Sequence, residues 1–334
     1  MMDVMQFTQA LSRVWVLETR LLDKTKIERM IEATSAEEAL KILNETEYSN
    51  ILSKVKRVND YEDILSYELK RVYELIYELC PVKDVVDLMS VKYKYHNLKV
   101  LLKGKFLSKD LSNLLIDLGI EDLKKLKSLI DLDNFDDLKG FTKKAVLEVV
   151  KDFEENKDPQ KIDIIVDRYM FDEMELIKKK LDYNFTDKLV LATIDLTNIR
   201  TLIRLKKQGK GREFASKVLI EGGAINKDTL VSTINETPEN IINKLSTTIY
   251  SDIIKEGIES FTESNSASLL EKLSENYIMS LMKGSRLVTF GPDRLLAYIY
   301  AKETEIKIIR IIMVGKLNNI SQQLIRERLR DSYV

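Results

Sequence analysis

The chain has 334 residues, 44% hydrophobic and 32% charged, with 53 Lys and Arg against 54 Asp and Glu for a net charge of −1. The length exceeds one ordinary domain, the apolar content is ample for a core, and the whole-chain balance predicts neither a nucleic-acid nor an acidic partner. The single Cys80 excludes an internal disulfide, no apolar run reaches the roughly 18–20 residues of a membrane span, and the start lacks a signal-peptide pattern, so a soluble intracellular protein is expected.

Four prolines and eleven glycines suit a helical chain. Val4, Phe7, Leu11, Val14, Leu17 and Leu21 recur at three- and four-residue steps, one face of an opening helix. Trp15 lies beside that stripe and reads as an edge-of-core anchor. Ser35, with Glu38 three residues on, predicts a capping box and a helix ending near Tyr48. An amphipathic stretch from Ile64 to Leu79 is stopped by Cys80-Pro81. Lys83 to Leu102 forms the next helix, closed near Gly104; Leu111, Leu114, Leu115 and Leu118 follow, ended by Gly119. Asp136 then reads as an N-cap at the positive end of a helix dipole. Ile164–Leu181 is amphipathic, and a helix from Asp187 to Lys207 closes at Gly209. Val218–Gly223 mirrors Leu114–Gly119. Thr237-Pro238 starts another helix. The polar run Glu263–Ser268 reads as an exposed loop, a helix is expected from about Pro292 to Gly315, and Gln322–Arg330 closes the chain.

Within this order one stretch returns. His96-Asn97-Leu98-Lys99-Val100-Leu101-Leu102-Lys103 recurs as Thr197-Asn198-Ile199-Arg200-Thr201-Leu202-Ile203-Arg204, and more weakly as Glu305-Ile306-Lys307-Ile308-Ile309-Arg310. Asn97 and Asn198 are 101 residues apart, and Asn198 and Glu305 are 107 apart; Ser35, Asp136 and Thr237 repeat at 101. Such a period implies small helical bundles rather than solenoid units. The chain divides into an N-terminal helix packing with the third repeat (1–36), then repeats 37–136, 137–237 and 238–334. The six extra residues of the third copy are assigned to Glu263–Ser268.

Catalytic chemistry has no carrier in this pattern. His96 stands alone, without the His, Cys and carboxylate cluster that zinc or a triad needs. No phosphate-binding loop appears, and Gly209-Lys210-Gly211 is too short for a dinucleotide fingerprint. No catalytic, metal or cofactor residue is assigned, and no enzyme is expected. Charge placement does stand out: Lys92–Lys109 holds six lysines and no acid, and Ile199–Arg212 six bases and no acid. Complementing a helix dipole accounts for two or three bases per helix. Were the three copies arranged about one axis, equivalent helix ends would form a basic rim for an acidic protein helix or lipid headgroups. The candidate partner-binding residues are Lys99, Lys103, Arg200, Arg204, Lys307 and Arg310.

The order of Leu11-Ser12-Arg13-Val14, Leu21-Leu22, Tyr95–Lys103, Asp195–Thr201, Leu295-Leu296-Ala297-Tyr298 and Lys302-Glu303-Thr304-Glu305-Ile306 resembles the C subunit of bacterial and archaeal V-type (A-type) rotary ATPases, the relative of the eukaryotic d subunit. The resemblance spans essentially the whole chain. It implies an all-α fold of three helical repeats in a pseudo-threefold funnel, without catalytic residues or direct nucleotide binding. It also implies a seat on the cytoplasmic face of the membrane rotor ring, receiving the foot of the central stalk, in one copy per complex. The third copy departs by lacking the Asn and diluting the basic cluster. Taken alone, the residues equally permit a helical-repeat scaffold for another acidic or membrane-associated partner.

Overall fold

The computed structural model describes residues 2–52, 57–120 and 122–334, and every regular element among them is helical. The first helices are α1 (Thr8–Glu18), α2 (Lys24–Glu32), α3 (Ala36–Ile42), α4 (Ser49–Leu52), α5 (Tyr61–Leu79) and α6 (Lys83–Phe106). The middle of the chain supplies α7 (Leu123–Asp131), α8 (Gly140–Asn156), α9 (Pro159–Leu181), α10 (Asn184–Lys207), α11 (Arg212–Val218) and α12 (Lys227–Thr233). The last are α13 (Pro238–Leu245), α14 (Ser251–Ser264), α15 (Ser268–Gly284), α16 (Asp293–Leu317) and α17 (Gln322–Arg328). The contacts divide these into two units, one of residues 87–258 with Met2, the other of 3–86 and 259–334.

In the unit built from both chain ends, α16 is the central helix. It packs against α5, α15, α1, α3, α2 and α17. Its buried residues, Leu295, Leu296, Tyr298, Ile299, Ile306, Ile309, Ile312 and Met313 among them, fall on every side, as in a helix apolar all round that is swallowed by a core. Met30, Ile31, Leu43, Ile64 and Leu65 complete that core. Gly315 is required there, because a Cβ would meet the Ile325 side chain of α17 at 2.6 Å. In the other unit α9 packs on α8 and α10, and α10 on α11 and α12. Phe106 at the end of α6 stacks on Phe153 of α8 with ring centroids 4.3 Å apart.

Local chemistry explains several boundaries. Ser35 accepts the Glu38 N–H, while the Glu38 carboxylate turns back to the Thr34 N–H at 2.6 Å, one residue earlier than a reciprocal box would place it. Thr237 caps Asn240 N–H with Pro238 at the first helical position.

Three expectations are corrected. Asp136 is no N-cap: it sits in a 3₁₀ turn, its carboxylate takes Lys143 at 2.9 Å, and α8 starts at Gly140 because Leu138 is extended. Leu111–Leu118 has only a short 3₁₀ turn at Ser112–Leu114, since its backbone is drawn into side-chain hydrogen bonds of α6. The run Glu263–Ser268 is loop only at its middle, residues 265–267; Glu263 and Ser264 end α14 and Ser268 starts α15. The third copy's long connection is instead residues 285–292, where the other copies have only 80–82 and 182–183.

Candidate partner-binding surface

The three helices that carry the recurring stretch are α6, α10 and α16. Each anchors a distant loop through the same position. The Asn97 amide nitrogen donates to the Ile116 carbonyl at 2.8 Å, and its oxygen accepts the Ile116 N–H at 2.8 Å. Asn198 makes the same two bonds with Ile220, both 2.8 Å. Both asparagines are buried, so an amide, which can donate and accept at once, is the side chain the site needs. The mirrored segments Leu114–Gly119 and Val218–Gly223 are thus the partners of the mirrored asparagines.

In the third copy Glu305 can only accept. It takes the Leu22 N–H at 2.5 Å and gains two further donors, the Tyr48 hydroxyl at 2.8 Å and Lys302 Nζ at 2.8 Å. A lysine clasp recurs beside it. Lys105, Lys206 and Lys316 each reach two backbone carbonyls at a helix end: Ile130 and Asp131, Ile234 and Glu236, Ile31 and Ala33. Burial lowers the Lys316 pKa from its ordinary value.

Four of the six candidate bases are held by carboxylates. Lys99 meets Asp167 and Lys103 meets Asp163, each at 2.7 Å, tying α6 to α9. Lys307 meets Glu275, and Arg310 grips Glu62 with two bonds of 2.8 and 2.9 Å. Glu62 and Asp163 are 101 residues apart, but Arg310 falls one residue short of the position that matches Lys103, so the two pairs are alike without being in register. Arg200 donates to the Leu196 carbonyl and the Thr197 hydroxyl at 3.2 Å, and Arg204 is exposed. His96 Nε2 lies 2.9 Å from the Leu114 carbonyl, which the Nε2–H tautomer satisfies.

Sequence reasoning missed a buried charge network on α16. Lys302, fully buried, lies 2.8 Å from Glu305, 3.0 Å from Glu68 and 3.6 Å from Glu47. Arg71 bridges Glu68 at 2.7 Å and Glu47 at 3.0 Å, and Arg20 meets Glu47 at 3.2 Å. Burial alone would favour a neutral Lys302, but Glu305 and Glu68 reverse this and hold its ammonium well above the ordinary lysine range. Burial likewise raises Glu68, yet Arg71 and Lys302 outweigh it and leave the carboxyl below 4.5. Burial, then Glu305 and Glu68, push the Tyr48 hydroxyl far up. The network opens at Glu47 and Arg71 onto a polar cavity of about 630 Å³, also lined by Arg20, Asp23, Lys26 and Glu45. The available signal was a Lys and a Glu one turn apart between the apolar runs Leu295–Ile299 and Ile306–Met313.

Among the described residues no group of three or more His, Cys, Asp or Glu side chains is placed to hold a metal ion, and no helix is long and apolar enough to cross a membrane. Residues 10–328 match the family of ATP synthase (C/AC39) subunits. The chain is 32% identical over 316 residues to the C subunit of the V-type sodium ATPase of Enterococcus hirae, covering 95% of each. It is 24% identical to the C subunit of the A-type ATP synthase of Methanocaldococcus jannaschii, covering 98% of this chain and 87% of that protein. A similar likeness, 25% over 94% of this chain and 85% of the relative, links it to the C subunit of the A-type ATP synthase of Methanobrevibacter smithii.

Proposed function

Because the chain belongs to the ATP synthase (C/AC39) subunit family and is a relative of the C subunits of V-type and A-type ATPases, we propose that it is the non-catalytic subunit that joins the central stalk to the membrane ion-translocating ring and carries torque between them. In this reading the three copies stand about a pseudo-threefold axis as a funnel. One chain serves each complex, on the cytoplasmic face of the membrane.

The observation that carries the reading is the recurring anchorage of the three long helices, Asn97 to Ile116, Asn198 to Ile220 and Glu305 to Leu22. A torque carrier needs stiffness more than a cleft. Close-packed interiors of low compressibility supply it, and buried hydrogen bonds that fix each helix against a distant loop add to it. Lys99, Lys103, Arg200, Arg204, Lys307 and Arg310 are proposed as partner-binding. Carboxylates that hold four of them in place leave those bases partly exposed, which suits an electrostatically matched contact that assembles yet bears load.

The test is reconstitution. Complexes rebuilt without the chain are expected to hydrolyse ATP at intact nucleotide sites while ion pumping is lost, and adding the chain back restores pumping. Pumping that persists without it refutes the coupler role.

A further inference from the structure

The end of the unit where α1 finishes and α16 begins carries a surface that includes none of the six bases proposed for partner binding. α1 turns Leu11 and Val14 inward but leaves Trp15 47% and Val16 53% exposed. The Arg294 guanidinium lies 5.2 Å from the Trp15 ring centroid. Buried Glu18 takes Arg294 at 2.6 Å and the Tyr333 hydroxyl at 2.9 Å, and the Tyr333 ring lies 4.2 Å from the Arg286 guanidinium. Trp15 and Arg286 are therefore joined through one continuous chain of contacts. The residue after Arg286 is Leu287, 92% exposed, and Phe290 beyond it is 41% exposed. Both belong to the connection 285–292, the long one that the other two copies lack.

Charge is sorted on this surface. Residues 283–292 contain Lys283 and Arg286 and no acid. The two acids beside them, Glu18 and Asp293, are buried. Large apolar tips next to guanidinium and ammonium groups, with carboxylates withdrawn, match a layer that is anionic at its surface and apolar just beneath. Apolar side chains that project singly from a loop need no shaped socket in a fluid interface, whereas a protein partner would have to supply one. Tryptophan beside arginine is at home at headgroup depth.

We propose that this surface docks on an anionic lipid bilayer, with Leu287 and Phe290 entering the acyl boundary, Lys283 and Arg286 at the lipid phosphates and Trp15 at headgroup level. The inference goes beyond coupling and does not depend on it.

Trp15 is the one tryptophan of the chain, so its fluorescence reports the contact directly. The full chain would be mixed with vesicles of phosphatidylcholine alone, of phosphatidylcholine with phosphatidylglycerol, and of the same mixture carrying bromine on the acyl chains. Expected are a blue shift on the anionic vesicles, quenching by the brominated lipid and reversal by high salt. Leu287→Glu should weaken vesicle binding about tenfold or more, because it removes one buried leucine from the lipid contact, and Leu287→Met should restore most of it. Circular dichroism should match wild type for both, since the side chain is exposed. No shift and no quenching on anionic vesicles overturns the proposal. So does a Trp15 blue shift on assembly with the other ATPase subunits that brominated lipid fails to quench, which would mark a protein contact.

Discussion

Asn97 and Ile116 exchange two hydrogen bonds of 2.8 Å across 19 residues of chain, the side-chain amide of one answering both backbone groups of the other. Replacing Asn97 by Ala leaves a partly buried N–H and C=O of Ile116 without their side-chain partner and should cost about 1–3 kcal/mol. Asn198→Ala should cost a similar amount through Ile220. Asn97→Asp keeps the acceptor and loses the donor, so it should fall between wild type and Ala. Urea unfolding measures the losses, and hydrogen exchange at the Ile116 amide should quicken in Asn97→Ala alone among variants of equal stability.

Lys302 is the second test. Substituting Met leaves Glu68 and Glu305 buried against each other without their shared cation, and should cost about 3–5 kcal/mol. A milder loss in the double variant Lys302→Met/Glu68→Gln would show that the penalty is the uncompensated charge rather than the missing lysine stem. Equal losses would contradict that account.

Acid should weaken the fold in a defined window. Burial would raise Glu68 and Glu275, but Arg71 and Lys302 lower the first and Lys307 and Arg330 the second, both below the ordinary 4.5. The unfolded chain therefore binds these protons at higher pH than the folded chain does. Their stabilisation is present above the ordinary value and is lost as pH falls through the lowered folded values. The urea midpoint should hold from neutrality to about pH 5 and then decline. Glu275→Gln should make that decline shallower; an unchanged slope would remove Glu275 from the explanation.

Leu98, Ile199 and Ile306 are all buried at matching places on α6, α10 and α16. Truncating any one to Ala should cost about 2–5 kcal/mol, the range for a large-to-small change in a packed core. Differential scanning calorimetry would show whether the three losses are alike, as equivalent positions require.

For the basic residues a charge swap separates folding from binding. Lys99→Glu alone faces Asp167 with a like charge, so it is paired with Asp167→Lys to keep the bridge and reverse its polarity. The swapped protein should unfold within about 1 kcal/mol of wild type, since partly exposed pairs contribute little. Its affinity for the partners proposed above, the stalk and ring subunits, should fall at low salt. Binding that is unchanged at low and high salt would assign Lys99 to structure only.

Much of the fold was written locally. Periodicity marked α5, α9 and the opening helix, Pro81 stopped α5, and Ser35 and Thr237 capped their helices, because each signal acts within a few residues of itself. Asn97 and Asn198, with the mirrored segments after them, were visible as a repeat. That Ile116 and Ile220 are what they hold was not, since the spacing of two polar groups along a chain carries no record of which will meet. The same reason hid the pairs Lys99–Asp167 and Lys103–Asp163, which are set by α6 lying along α9. Asp136 misled because the chain turns there in a short 3₁₀ helix and runs extended at Leu138, so α8 begins only at Gly140 and Asp136 is not at its start. Lys302 stood out in the sequence only as part of the run Lys302–Ile306. Only the burial of α16 on all sides decided that it would sit among Glu47, Glu68 and Glu305, for a lysine is drawn inward only where packing delivers enough carboxylates to replace its water.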